Sequence, residues 1–302
     1  MDVVVAGAGS IGLLIGSYFA EAGMDVTFYV RREEQAQLIR TEGIQRIEQD
    51  GTKKVFCAQA TTDIHRLPAA PWIVAVKFSG VEELLMTMQQ AKVNPPVLFV
   101  QNGIGHLELV ERSALRHVVF ATVEHGAGRC DDRTVSHNGV GNLTRAVFRG
   151  DERLFEFLRR AAARDFPVVY HPDAEQILMR KVLINCMINP LTAILQVKNG
   201  ELLKNPYCLR MFKRLYEELI DAFPEMAQVL PYEAVTKVCM KTADNQSSML
   251  VDHLAGRPME VNTIVSAVRV MAEKRNKKLP ILTSLEMILY AMDWKGEGEW
   301  QD

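Results

Sequence analysis

The sequence predicts an α/β fold, in which an N-terminal doubly wound parallel sheet is followed by an all-helical C-terminal domain. Short β-rich runs alternate with helical patterns in the first half, a glycine-rich turn follows the first run, and the β signal disappears after PVVYHPD at 167–173. Because 302 residues exceed the usual size of one hydrophobic core, we expect two domains, at residues 1–171 and 172–302.

The β-rich runs come in the order that parallel βαβ units require. A helical pattern at about residues 10–22 follows the first run. The more polar residues 40–65 and 138–150 are predicted to decorate the sheet as strands or loops. The runs are VVVA at 3–6, DVTFYV at 25–30, WIVAV at 72–76, VLFVQNG at 97–103 and HVVFATVEH at 117–125.

The composition is that of an ordinary globular protein whose partner is a small molecule or another protein. Hydrophobic residues make up 48% and charged residues 24%, which argues against disorder. Thirty-five Lys and Arg against 37 Asp and Glu give a net charge of -2, so there is no basic field for nucleic acid or an anionic membrane. The seven histidines and five scattered cysteines have no metal-ligand spacing, and the odd cysteine count favours reduced thiols in the cytoplasm.

The apolar run at residues 3–20 has the length of a signal peptide or membrane span, but its details favour neither. Asp2 precedes it where a signal carries positive charge, and four glycines interrupt it. No targeting role is therefore expected.

The segment Gly7-Ala8-Gly9-Ser10-Ile11-Gly12 has the pattern GxGxxG between a β-rich run and a helical one. In this setting the first glycine makes the turn, the second admits a pyrophosphate, and the third packs the helix on the strand. Backbone N–H groups and the helix dipole then favour phosphates. A tight turn without a ligand is the alternative.

Arg31 and Arg32 follow the second run, where an NAD-binding unit carries an acidic residue for the ribose 2′-hydroxyl. A guanidinium there pairs with a 2′-phosphate, so the pattern predicts NADP. A solvated arginine pair at the surface is the alternative. Lys77 and Asn102 follow two later runs and are placed to face a cofactor or substrate, although an exposed cap and an Asn-Gly turn would explain them too.

The segment KVLINCMINPLTAIL at 181–195 predicts a buried helix with a polar stripe. Lys181, Asn185 and Asn189 recur every fourth position and therefore share one face. Pro190 should kink the helix or leave the carbonyl of Cys186 without its helical donor. A hydrogen-bonded polar seam against another element is the alternative to a binding site.

Further polar residues follow in DNQSSMLVDHLAGRPMEVN at 244–262. They include Ser247, Ser248, Glu260 and Asn262 around a Gly-Arg-Pro turn. Glu260 lies where a first helical turn begins, so an acid stabilised by the helix dipole is its plain interpretation.

Over essentially its whole length the chain resembles the ketopantoate reductase (2-dehydropantoate 2-reductase) family. The combination of a Lys-Asn-Asn helix with a later Ser-Ser-Met and Glu is more specific than GxGxxG alone. The segments that carry the resemblance are GAGSIG, Arg31, Lys77, QNG at 101–103, HNGVG at 137–141, KVLINCMINP at 181–190, and SSMLVD with Glu260.

The resemblance implies a Rossmann-type NADP-binding domain, a helical substrate-binding and catalytic domain, and NADPH-dependent reduction of 2-dehydropantoate to pantoate on the route to pantothenate and coenzyme A. Carried over by position, Lys181 would be the general acid, and Glu260 would hold the distal hydroxyl of the substrate. Asn185, Asn189 and Ser248 would bind substrate, while Asn102 and Lys77 would lie between nicotinamide and substrate.

Hydride arriving at a ketone carbon leaves negative charge on the oxygen, which a protonated lysine can stabilise and then protonate. A paralogue that reduces another small 2-oxo acid would share nearly all these features. An NADP-sensing protein without turnover would need the glycines but not the Lys181 stripe. Apolar faces in the helical half favour a homodimer, although the sequence does not fix the oligomer.

Overall fold

The structure is a computed structural model that describes residues 1–294. The described chain forms two compact units, residues 1–101 with 106–178, and residues 102–105 with the residues from 179 onward. The predicted fold class is confirmed, because a mostly parallel sheet is followed by helices. The domain limits at residues 171 and 172 stay a prediction, and residues 295–302 of the second domain lie outside the described part.

Most strands of the first unit are short and apolar. They are β1 (Asp2–Ala6), β2 (Asp25–Tyr29), β3 (Ile44–Ile47), β4 (Lys53–Phe56), β5 (Gln59–Thr61), β6 (Trp72–Val74), β7 (Val97–Phe99), β8 (Val118–Val123), β9 (Gly126–Arg129), β10 (Thr134–Gly139), β11 (Leu143–Arg149) and β12 (Val168–Tyr170).

The larger sheet has eight strands in the order β12-β11-β8-β7-β6-β1-β2-β5. From β8 to β5 all neighbours are parallel, and β1, β6, β7 and β8 are buried along almost their whole length. Strands covered on both faces need apolar side chains at every position, which explains their uninterrupted Val, Ile and Phe runs.

Residues 138–150 are not only a decoration of this sheet. Within them, β11 pairs antiparallel with β8 over its length and parallel with β12, so it is an integral strand. Residues 40–65 divide between the sheets, because β5 joins the larger sheet while β3 and β4 belong to a four-stranded sheet of order β4-β3-β10-β9.

A buried arginine fastens the smaller sheet to the first helix. The guanidinium of Arg46, on β3, donates to Glu48 at 2.7 Å, pairs with Glu21 of that helix, and lies 3.7 Å from the centre of the Tyr18 ring. The Tyr18 hydroxyl is 2.9 Å from Nδ1 of His137 on β10. A buried charge is tolerated because it is paired and hydrogen-bonded on several sides.

Helices alternate with strands in the first part of the chain, and from Ala174 helices follow one another to the end of the described chain. They are α1 (Ser10–Glu21), α2 (Glu33–Glu42), α3 (Val81–Gln90), α4 (Gly105–Arg112), α5 (Phe157–Ala161), α6 (Ala174–Leu195), α7 (Glu201–Lys204), α8 (Pro206–Ala222), α9 (Met226–Val229), α10 (Tyr232–Lys241), α11 (Ser248–Leu254), α12 (Ala267–Lys274) and α13 (Pro280–Asp293).

Helix α6 runs through Pro190 to Leu195 without interruption. It is the one described helix that is long and apolar enough to cross a membrane, and 78% of its most apolar stretch is buried within the protein. Burial of this kind is typical of the core helix of a globular domain. A π-helical segment, Asn262–Ser266, precedes α12.

Candidate active site

The glycine-rich turn is shaped by positions at which a side chain has no room. Gly7 has a φ of 101°, and an added Cβ would lie 2.9 Å from the backbone nitrogen of Val76. At Gly12 an added Cβ would lie 1.9 Å from the carbonyl oxygen of Gly7. Gly9 differs, because nothing in the described chain lies within 4 Å of its added Cβ. A side chain therefore has no room at Gly7 and Gly12, which lie at the two ends of the turn, but it has room at Gly9.

Gly9 is also the N-cap of α1, and no side chain caps the helix there in the described chain. Ser10 and Ile11 begin the helix and are half-buried, and Ala8 precedes the cap. The first N–H groups of a helix have no acceptor within the helix, and the N-cap residue of α1 supplies none from a side chain. Amide donors, a helix dipole and open space at Gly9 fit a dinucleotide pyrophosphate.

Gln35 supports this turn and was not identified from the sequence. It is buried on α2, and its Nε2 donates to the carbonyl oxygen of Ala8 at 3.2 Å and to that of Asp132 at 2.8 Å. A glutamine in a polar helical turn gives no sequence signal of such a role, because the two partners lie 27 and 97 positions away.

The two arginines after β2 have different surroundings. Both are exposed. Arg32 pairs with Asp132 at 2.6 Å, whereas no ion pair or hydrogen bond involves the Arg31 side chain in the described residues. Arg31 is thus the guanidinium of the two that is free to meet a phosphate.

Lys77 and Asn102 follow the carboxyl ends of β6 and β7. Lys77 is exposed and caps a short 3₁₀ turn, Phe78–Gly80, while Asn102 is half-buried. The buried amide of Gln101 donates to the carbonyl oxygens of Val74 and Val76 at 2.8 and 2.9 Å. These two bonds fix the end of β7 beside the end of β6, a contact that the sequence did not reveal.

The three residues of the predicted polar stripe all lie in α6, so they share one face of the helix. Lys181 and Asn185 are half-buried, and Asn189 is only 5% exposed. In the described part of the chain the Nδ2 of Asn189 has no hydrogen-bond partner. A buried amide nitrogen without an acceptor costs free energy, so a ligand oxygen would satisfy it.

The π-helical segment links α6 to the loop at residues 102–105. The thiol of Cys186 donates to the carbonyl oxygen of Ile264 at 3.2 Å. The backbone N–H of Ile104 donates to the carbonyl oxygen of Thr263 at 3.3 Å. Gly103 has a φ of 76°, and a Cβ there would lie 2.2 Å from the Thr263 oxygen. A π-turn leaves carbonyls for such outside donors, and π-segments are frequent at functional sites.

These contacts bring three predicted elements together within the second unit. They are the loop at residues 102–105, helix α6 and Glu260, which is half-buried and lies two positions before the first residue of the π-segment. The Glu260 carbonyl accepts the N–H of Ile264 at 3.3 Å, so its backbone already belongs to the helical turn. Burial raises the pKa of the Cys186 thiol well above its usual range, so Cys186 acts as a neutral donor.

Ser247 and Ser248 have different roles. Ser247 is buried and caps α11 by accepting the N–H of Leu250 at 3.2 Å, and Thr192 of α6 donates to it at 2.7 Å. Ser248 is exposed in the first turn of α11. Ser247 therefore ties α11 to α6, and Ser248 is the hydroxyl left for a ligand.

Among the described residues, no group of three or more His, Cys, Asp or Glu side chains could hold a metal ion. All five cysteines are free thiols.

Two family models match the chain. The description "Ketopantoate reductase PanE/ApbA" matches residues 3–150, and "Ketopantoate reductase PanE/ApbA C terminal" matches residues 173–292. A 2-dehydropantoate 2-reductase of Listeria innocua is 35% identical over 298 residues, with 97% of each chain covered. One of Bacillus subtilis is 35% identical over 272 residues, with 88% of each covered.

Solved structures show the same architecture. A probable 2-dehydropantoate 2-reductase of Bacillus subtilis superposes with a TM-score of 0.87 at 32% identity, covering 97% of this chain and 100% of that one. A D-mandelate dehydrogenase, solved with NADH and anilino(oxo)acetate, superposes with a TM-score of 0.84 at 20% identity, covering 97% and 98%. At that identity the second likeness concerns the fold alone.

Proposed function

Because this chain belongs to the ketopantoate reductase family, we propose that it reduces 2-dehydropantoate to pantoate with hydride from NADPH, in the synthesis of pantothenate and coenzyme A. The observation that carries the proposal is the second unit. There the loop at residues 102–105 and helix α6 are each hydrogen-bonded to the π-segment that follows Glu260, and the buried Asn189 amide on α6 has no acceptor in the described chain.

The glycine-rich turn and Arg31 support the choice of cofactor. The open side of Gly9 and the first amides of α1 suit a pyrophosphate, and the guanidinium of Arg31 suits a ribose 2′-phosphate. NADPH bound there supplies the hydride. We assign its binding to Gly7, Ala8, Gly9, Ser10, Ile11, Gly12 and Arg31, with Lys77 and Asn102 near the nicotinamide.

Lys181 is proposed as the general acid. Negative charge develops on the ketone oxygen during reduction, and a lysine ammonium in hydrogen-bond reach stabilises this charge and transfers its proton from Nζ. General acid catalysis of this kind typically contributes about 10²- to 10⁴-fold. Lys181 is half-buried on α6, and we propose that its Nζ is reprotonated from solvent.

The neighbouring polar groups are proposed to hold the substrate. Asn185 and Asn189 lie one and two turns along the same face and can donate and accept hydrogen bonds without adding charge. Ser248 offers a hydroxyl at the start of α11, and Glu260 offers a carboxylate for the distal hydroxyl of the substrate. Catalysis and substrate binding then both belong to the second unit.

The proposal is tested by following NADPH absorbance with purified protein and a panel of 2-oxo acids that begins with 2-dehydropantoate, with NADH in parallel. Rapid oxidation confined to NADPH and 2-dehydropantoate is the expected result. Faster turnover of another acid, such as an aryl 2-oxo acid, would identify a paralogue with different specificity. Tight NADPH binding without oxidation would identify a sensor. The cytoplasmic location and the homodimer stay predictions.

A further inference from the structure

The turn between β9 and β10 packs against the start of α2, beside the glycine-rich turn. Its residues are Cys130, Asp131, Asp132 and Arg133. The buried amide of Gln35 donates to both the Asp132 carbonyl and the Ala8 carbonyl, so one side chain fixes the two turns together. Neither the family resemblance nor the proposed mechanism gives this β9–β10 turn a role.

The turn is held in one conformation. Oδ1 of Asp131 accepts the N–H groups of Arg133 and Thr134 at 2.8 and 2.7 Å. At the far end of α2, the Arg133 guanidinium donates to the carbonyl of Glu42 at 3.2 Å and pairs with its carboxylate at 3.0 Å. The turn is therefore attached to α2 near both ends of the helix, and its side chains have fixed positions.

Asp132 adds negative charge where the ribose 2′-phosphate is expected. Its carboxylate pairs with Arg32 at 2.6 Å and also with Arg129. The hydrogen bond from Arg32 holds the pKa of the Asp132 carboxyl below its usual range, so the group is charged at neutral pH. Arg31 is left without an ion pair in the described residues.

We propose that Asp132 determines how strongly this protein prefers NADPH over NADH. It neutralises Arg32, keeps that guanidinium away from the 2′-phosphate and leaves Arg31 as the phosphate ligand. This inference rests on the proposed binding of a nicotinamide dinucleotide at the glycine-rich turn. Its consequence is unusual for a binding site, because removal of a charged side chain should improve binding of the phosphorylated cofactor.

The test is direct binding of NADPH, NADH and 2′,5′-ADP by titration calorimetry, without substrate. Asp132→Asn keeps the side-chain shape and the carbonyl that Gln35 contacts, but it removes the charge. We expect affinity for NADPH and 2′,5′-ADP to rise roughly two- to fivefold, as for a partly exposed ion pair, with NADH affinity unchanged. The gain should shrink at high salt.

Two further variants isolate the ion pair. In Asp132→Asn combined with Arg32→Ala most of the gain should disappear, because the released Arg32 guanidinium is gone and only that of Arg129 remains. Glu34→Gln is the matched control, since it removes an exposed carboxylate from the first turn of α2 that forms no ion pair in the described chain. The Glu34 charge acts on Arg32 without a hydrogen bond, so any gain in this control should be smaller than in Asp132→Asn. An equal gain in this control would overturn the proposal in favour of a general charge effect.

Selective weakening of NADPH by Asp132→Asn would also overturn it, because Asp132 would then direct Arg32 towards the phosphate. Equal changes for NADPH and NADH would show a merely structural role. Failure of the proposed function gives a different result: the wild-type protein would bind NADPH without oxidising it, or prefer NADH. In either case Asp132→Asn still tests the inference through binding alone.

Discussion

The glycine-rich turn and the part of the helical unit around Asn189, both proposed to bind ligands, are built in opposite ways. The turn consists of six consecutive residues, and its shape follows from the positions at which a Cβ atom has no room. The helical region joins segments that are far apart in the chain, as in the hydrogen bond between Cys186 and Ile264 across 78 positions. Local sterics produce the first region, and tertiary hydrogen bonds produce the second.

From this difference we can predict which substitutions should affect folding and which should affect ligand binding in each region. In the turn, the residues that shape the backbone and the residue proposed to face the pyrophosphate are neighbours. In the helical region, Cys186 and Thr263 hold the frame, while the buried Asn189 amide nitrogen has no acceptor in the described chain. In both regions, some substitutions should therefore change stability and others should change ligand affinity. The residues concerned are adjacent in the turn and far apart in the helical region.

The largest effect is expected in the helical region. Lys181→Ala removes the proposed proton donor, so kcat should fall by at least about 100-fold while NADPH affinity barely changes. Steady-state kinetics and NADPH titration measure the two quantities separately. Lys181→Arg, which keeps the charge but is a poor proton donor, should recover only part of the loss. Near-normal turnover in Lys181→Ala would show that Lys181 is not the general acid.

In the turn, two alanine substitutions should give opposite results. Gly12→Ala places a Cβ against the Gly7 carbonyl and should destabilise the fold by about 3 kcal/mol, as overpacking of backbone does. Gly9→Ala has room for its methyl group, so the fold should be unaffected while dinucleotide affinity falls. Thermal unfolding and NADPH titration on both variants test this. Loss of stability in Gly9→Ala would contradict the open side of the turn.

A pH effect is expected from the first unit. His106 is buried between Phe99 and Phe120, with no hydrogen-bond partner for either ring nitrogen in the described chain, and burial lowers its pKa to about 4. The unfolded chain binds this proton near pH 6.5, so the unfolded state gains protons first as the pH falls. Stability should therefore be full above pH 6.5 and decrease by about 3 kcal/mol towards pH 4.

Urea unfolding at pH 7 and pH 4.5 measures this loss. In His106→Leu the pH dependence should be smaller, and the remainder should include His137, whose pKa is also lowered by burial. If His106→Leu lost as much unfolding free energy between pH 7 and pH 4.5 as the wild-type protein, other groups would be responsible for the pH dependence.

A smaller effect separates Asn189 from His106, two of the buried residues that carry a polar atom without a hydrogen-bond partner in the described chain. Asn189→Leu should leave the stability nearly unchanged, because the amide nitrogen it removes has no acceptor in the described residues. It should raise KM for the oxo acid about tenfold, the value of one hydrogen bond to a charged group. His106→Leu should leave KM unchanged. A large loss of stability in Asn189→Leu would support the polar-seam interpretation of the stripe.

Several features of the fold could be predicted from residue patterns. The first helix is predicted at about residues 10–22 and spans Ser10–Glu21, because glycines and apolar residues mark both ends. The strand β11 was underestimated, because its sequence, LTRAVFR, mixes charged and apolar residues. Its place depends on pairing with β8, which residue patterns within the segment do not encode.

In the candidate sites, too, some features follow from local residue patterns and others depend on residues that are distant in the chain. The sequence could not choose between Arg31 and Arg32, because both guanidinium groups follow the same strand. The choice depends on Asp132, which lies 100 positions further along the chain and reaches Arg32 through the β9–β10 turn. Likewise, Ser247 and Ser248 are adjacent and chemically identical, and only the contact with Thr192 distinguishes the cap from the exposed hydroxyl.

By itself the sequence determined the fold class, the glycine-rich turn and the polar face of α6, because these depend on residue periodicity and on local steric limits. Only the tertiary structure decided which arginine is free, which serine is buried and how the π-segment connects Gly103, Cys186 and Thr263. Those outcomes depend on hydrogen bonds and ion pairs between residues that are distant in the chain, and such pairs have no periodicity to read.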